Sequence, residues 1–139
     1  MDAKEFLRQV EKTEIMLRNK LIEQQQWRDI ALGISATMDG DRVQSTGSKS
    51  KMSDAIDRCV DMEADIDAVV DKLVNVKKEV LKTIERLDSA VEYNILHMRY
   101  IQGKYLQEIA DHYGREYGWV TTTHGRALKN VQALLDENL

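Results

Sequence analysis

The chain has 139 residues, 20 Lys+Arg against 24 Asp+Glu, and no proline. That is one ordinary domain or two small modules, too apolar at 42% hydrophobic residues for disorder throughout. The missing prolines and the single Phe argue against a β-sandwich or barrel and for a mostly helical fold.

The opening residues, MDAKEF, carry no signal-peptide pattern, and no apolar run is long enough to cross a bilayer. Cys59 is the only cysteine, which excludes an intramolecular disulfide and fits a reducing cytosol. A cytoplasmic protein with no membrane partner is expected.

Residues 2–36 read as one long helix. Phe6, Val10, Leu17, Leu21, Trp27, Ile30 and Ile34 recur at helical spacings. Asp2 is the expected N-cap, with Glu5 at the capping-box position. Residues 37–51 are polar, hold two Gly, and read as a connecting loop. Val43 and Gln44 are candidates to dock on the helix pair.

A second long helix is expected over 53–87, capped by Ser53. Met52, Cys59, Ile66, Leu73, Val80 and Leu87 repeat at intervals of seven, and Met62, Val69 and Val76 form a second row. A sustained seven-residue repeat is the pattern of a left-handed coiled coil. Residues 54–71 hold seven acids and one base, whereas Lys72, Lys77, Lys78, Lys82 and Arg86 gather toward the C-terminal end. This polarity complements the helix dipole. Neither helix can bury its stripe alone. An antiparallel hairpin over 1–87 is the economical arrangement, and it leaves a homo-oligomer through the hairpin open.

Residues 88–139 change character: all five tyrosines and all three histidines lie here. A first short helix is expected from Ser89 to about Ile101, then a turn at Gln102-Gly103. A second helix follows over Tyr105–Tyr113, ended by Gly114, and a third starts near Tyr117. Ala110, Gly114 and Val120 have the A-x3-G-x5-V spacing of a helix-turn-helix. The small residue admits the crossing helix, the Gly turns the chain and the Val anchors the next helix. Tyr100, Tyr105, Tyr113 and Trp119 read either as an aromatic base-stacking strip or as residues in or near the module's core, and the core or partly buried placement is the expectation.

The segment LHMRYIQGKYLQEIADHYGREYGWVTTTHGRALKN resembles the promoter-reading region 4 of bacterial sigma factors. Leu96, Arg99, Tyr100 and Gly103 match one motif, and Leu106, Glu108, Ile109 and Ala110 a second. Gly114, Val120 and Arg126-Ala127-Leu128 follow in register. With the two preceding helices and the Val43–Thr46 stretch, the chain resembles RinA- and ArpU-like late transcription regulators from phages of Gram-positive bacteria. The resemblance implies an all-α protein with a helical hairpin at 1–87 and a sigma region 4-like module at 88–139. It also implies a regulator, an activator of late genes, that binds double-stranded promoter or operator DNA with host RNA polymerase.

The candidate DNA-facing residues are Tyr117, Gly118, Trp119, Thr121 and Thr122 at the start of the last helix. His124 and Arg126 are candidate backbone contacts, and Lys104, Arg115 and Lys129 further phosphate candidates. Glu116 stands where such helices commonly open on Ser or Thr. Two other functions fit the same architecture. One is a small terminase-like DNA-packaging component. The other is a sigma-like decoy that binds RNA polymerase or another host protein without reading DNA. No phosphate-cradling loop, nucleophile elbow or metal-ligand spacing is present, so no enzyme and no cofactor is expected.

Overall fold

The computed structural model describes residues 1–33 and 46–138. Among them the fold is all-α: α1 (Ala3–Ala31), α2 (Thr46–Ile84), α3 (Ala90–Leu96), α4 (Leu106–Tyr113) and α5 (Tyr117–Glu137). A π-helical turn over His97–Ile101 continues α3. No helix among the described residues is long and apolar enough to cross a membrane.

The helix ends have local causes. Asp2 caps α1, its carboxylate accepting from the Glu5 N–H at 2.8 Å. At the other end Gly33 adopts φ +73, and its N–H bonds the Ile30 carbonyl. The helix therefore ends at Ala31, short of the expected Ala36. Ile34, Val43 and Gln44 lie outside the described residues. α2 begins at Thr46, earlier than the expected Ser53, so Ser53 sits inside the helix and does not cap it. The polar run TGSKSK holds no strong helix breaker after Gly47, and an established helix extends through it at one hydrogen bond per residue. α2 ends at Ile84, and Leu87 packs half-buried from the following turn.

Packing divides the chain differently from the expected boundary after Leu87. One compact unit comprises Met1–Thr13 with Leu73–Leu139, the other Glu14–Lys72. α1 and α2 each contribute to both.

In the Glu14–Lys72 unit, the Gln24 side-chain amide donates to the Cys59 carbonyl at 3.1 Å, and Arg58 lies 3.6 Å from Glu23. That half-exposed ion pair adds little stability. Ala31, Ala55, Met62 and Val69 are buried, but Met52 on the expected heptad row is exposed, and so are Leu21 and Ile30. Met62 and Val69 thus form the buried seam of α2, while Cys59 and Ile66 of the other row are only half-buried.

The other unit holds two apolar clusters. In the first, Ala3, Leu7 and Val10 of α1 meet Val80 and Ile84 of α2, Leu96, Tyr100, and Ala127 and Val131 of α5. The α1 stripe runs through Ala3, Leu7 and Val10, with the expected Phe6 at its half-buried margin. The Ala3 N–H, an orphan donor of the first turn, donates to Gln132 Oε1 at 2.7 Å. The second cluster joins Ile95, Met98, Ile109, Ala110 and Val120. α5 belongs to both.

Leu7→Ala removes a fully buried side chain from the first cluster. It should cost about 2–5 kcal/mol in urea denaturation. Leu21→Ala, on an exposed α1 position, should stay within about 0.5 kcal/mol of wild type. Equal losses would contradict the placement of the α1 stripe.

Candidate nucleic-acid interface

The α4–α5 corner is built from backbone requirements. Glu108 reaches back to the Tyr105 N–H at 2.9 Å and opens α4. Gly114 closes it at φ 62, ψ 34, where a side chain would be strained. The Gly114 N–H donates to Asp111 and the Arg115 N–H to Ala110, the paired bonds of a Schellman end. Ala110 and Val120 are fully buried against each other's cluster, as their spacing requires. Glu116 precedes α5 in extended backbone, without a side-chain cap bond.

α5 presents three faces. Val120, Thr123, Ala127 and Val131 face inward. The Thr123 hydroxyl donates to the Trp119 carbonyl at 2.8 Å, which satisfies a buried polar group that no sequence motif marks. Away from the core, Gly118, Thr122, Gly125 and Lys129 fall in one row at steps of four, three and four residues. Gly118, Thr122 and Lys129 are exposed, Gly125 is partly exposed, and Arg126 is exposed beside them. Among the described residues, a Cβ at Gly118 or Gly125 would meet nothing within 4 Å. Gly125 has no motif to mark it; only its register with Gly118 reveals the row.

The remaining candidates have more local roles. Arg115 lays its guanidinium 4.6 Å from the Trp119 ring centre, and Trp119 meets Tyr113 edge-on at 5.4 Å. The Asn94 amide in turn donates to Tyr113 Oη at 2.6 Å. Arg115 is thereby held at the start of α5. Tyr117 is half-exposed, and the Thr121 hydroxyl bonds back to the Gly118 carbonyl at 3.0 Å. Lys104 is half-buried at the end of the π-turn, its N–H donating to the Met98 carbonyl. Tyr105 departs from the expected core position at 72% exposed, because it stands in the extended residue before α4.

His124 also departs from expectation. Its Nε2 is hydrogen-bonded to Tyr100 Oη at 2.8 Å, with the rings stacked at 5.7 Å. The side chain is committed to the π-turn and is not extended toward a phosphate. Burial, then the positive charges of Lys4 and Arg99, hold His124 below its ordinary pKa of 6.5. Burial also raises Tyr100.

The depressed His124 pKa makes stability pH-dependent. Below about 6.5 the unfolded chain takes up the proton first, so stability falls as pH drops from 6.5 toward the folded value. Urea midpoints between pH 8 and pH 5 should therefore fall more for wild type than for His124→Gln. Parallel curves would rule out the His124 contribution.

Family comparison adds one result. The profile of a family described as "Protein of unknown function (DUF1492)" matches residues 32–134. No curated protein and no solved structure matches the chain. The match runs from the end of α1 through most of α5 and covers well over half of the sequence; the chain belongs to the DUF1492 family.

Proposed function

We propose that this protein is a DNA-binding transcription regulator whose α4 and α5 act as a helix-turn-helix, with α5 entering the major groove. The observation that carries this reading is the outward row Gly118–Thr122–Gly125–Lys129, flanked by Arg126, on a helix anchored from behind by Val120. In this reading the exposed Thr122 meets a thymine methyl or a base edge, and the exposed Arg126 and Lys129 meet phosphates.

The two glycines support the same reading. Gly125, in the interior of α5, costs the helix about 0.5–1 kcal/mol relative to Ala, and Gly118 in the first turn costs less. Among the described residues, no neighbour requires either one. Close approach of a partner backbone gives them a use.

Activation of phage late genes together with host RNA polymerase completes the proposal and comes from the sigma region 4 resemblance. Charge supports dependence on a second protein. The unit containing α5 has 12 Lys+Arg and 12 Asp+Glu, without the basic excess of an autonomous DNA binder. The Glu14–Lys72 unit is read as the assembly or partner-binding part. Its exposed Ile15 and Ile22 on α1, and Ile56 and Val60 on α2, support that role.

Selection from a random duplex pool at low salt should enrich a motif with wild type and none with Thr122→Ala/Arg126→Ala. Singly, Arg126→Ala should weaken binding uniformly across sequences and flatten the salt slope by about one unit. Thr122→Ala should alter preference more than affinity. Wild type that enriches nothing, with or without RNA polymerase, would defeat the reading. Gly118→Ala/Gly125→Ala should raise thermal stability and weaken duplex binding together. Higher stability with unchanged binding would remove the glycines from the interface.

A further inference from the structure

We propose that the first two turns of α1 form part of the duplex-binding surface, with Lys4, Arg8 and Arg99 holding the phosphates of the strand that borders α5. This rests on reading α5 as the DNA-facing helix. It assigns a second element, more than a hundred residues away in sequence, to the same face.

The placement follows from packing. Ala3 and Leu7 are buried in the cluster that includes Tyr100, Ala127 and Val131, and the Ala3 N–H is tied to Gln132 of α5. Each neighbouring residue, Lys4 and Arg8, is exposed. They are one helical turn apart on the same side of α1, a separation close to that of neighbouring phosphates on one strand. Arg99 adds a third cation from the π-turn, its guanidinium 5.5 Å from the Tyr100 ring centre. Tyr100 is bonded to His124 of α5.

The fields of the three charges fall on the bonded Tyr100–His124 pair. Lys4 and Arg99 both act on His124, and Arg99 and Arg8 both act on Tyr100. The opposing charge there is Glu11, one turn beyond Arg8. Among the described residues, none of the three cations closes an ion pair. Three cations gathered against two rings repel one another until an anion arrives. The arginine fork matches a phosphate, and the lysine supplies a point charge. Arg126 and the Trp119-stacked Arg115 lie toward another side of α5, so cations border its outward row on more than one side.

The test is fluorescence anisotropy with a labelled random-sequence duplex, over a potassium chloride series, using the full chain. Lys4→Gln/Arg8→Gln should lower the log–log salt slope by about two units, with affinity reduced for every sequence tried. Lys20→Gln/Arg28→Gln makes the same change in net charge on the other unit and should leave the slope near wild type. Circular dichroism and Tm should match wild type for both pairs. If the two pairs change the slope equally, or Lys4→Gln/Arg8→Gln leaves it unchanged, the proposal is overturned. If that happens while Thr122→Ala/Arg126→Ala still weakens binding, the helix-turn-helix reading survives alone. Wild type without salt-dependent binding, either alone or with RNA polymerase present, overturns both.

Discussion

The insertion of α1's first turns into the C-terminal core is the constraint on which the rest depends. Ala3, Leu7 and Val10 close a cluster that Leu96, Tyr100, Ala127 and Val131 leave open on one side. Residues 88–139 alone would make a module of a size at which burial barely offsets chain entropy. The α1 residues and the end of α2 supply the missing apolar surface, and the Ala3–Gln132 hydrogen bond orients the contact. α5 is then gripped at two levels: Val120 against Ile109 and Ala110, and Ala127 and Val131 against the α1–α2 ends. A helix held in this way keeps a defined third face toward solvent.

That third face is where packing ceases to dictate residue type. Among the described residues nothing lies within 4 Å of a Cβ built on its glycines, and its Thr and Lys side chains are exposed. Around it, polar groups are arranged with more order than a solvated surface requires. Arg115 is stacked on Trp119, and His124 is tied to Tyr100. Ordered surroundings and a sparse centre are the features on which the proposed close approach of a partner rests. The Glu14–Lys72 unit contrasts with it. It carries 8 Lys+Arg against 12 Asp+Glu and several exposed aliphatic side chains, and so holds the whole net negative charge of the protein. The two units therefore differ in charge balance.

What could be read from the sequence was local. Asp2 and Gly114 act through neighbours within a few residues and perform the expected end-capping, and Ser89, read as the start of a helix, caps it by accepting from the Glu92 N–H. The Ala110–Gly114–Val120 spacing encodes a contact between adjacent helices, and that contact is present. The α1 stripe was less legible, because Phe6 and Leu7 are neighbours and the burying partner selects between them. The start of α2 was hidden in a polar run that looks like a loop. The long-range contacts left no periodic trace. Nothing near Lys4 points to His124, and nothing near His124 points to Tyr100. Tyr105 had the composition of a core residue, but its place before the first turn of α4 puts it outside.

Native-state hydrogen exchange on the free full chain tests the central packing claim most directly. If residues 1–13 complete the core that holds α5, amides of Leu7 and Val10 should exchange only through the same opening that exposes Ala127 and Val131. Their exchange free energies and denaturant dependence would then coincide. If Leu7 and Val10 exchange at a distinctly lower free energy while Ala127 and Val131 stay protected, α1 is an accessory to that core, and the account is contradicted.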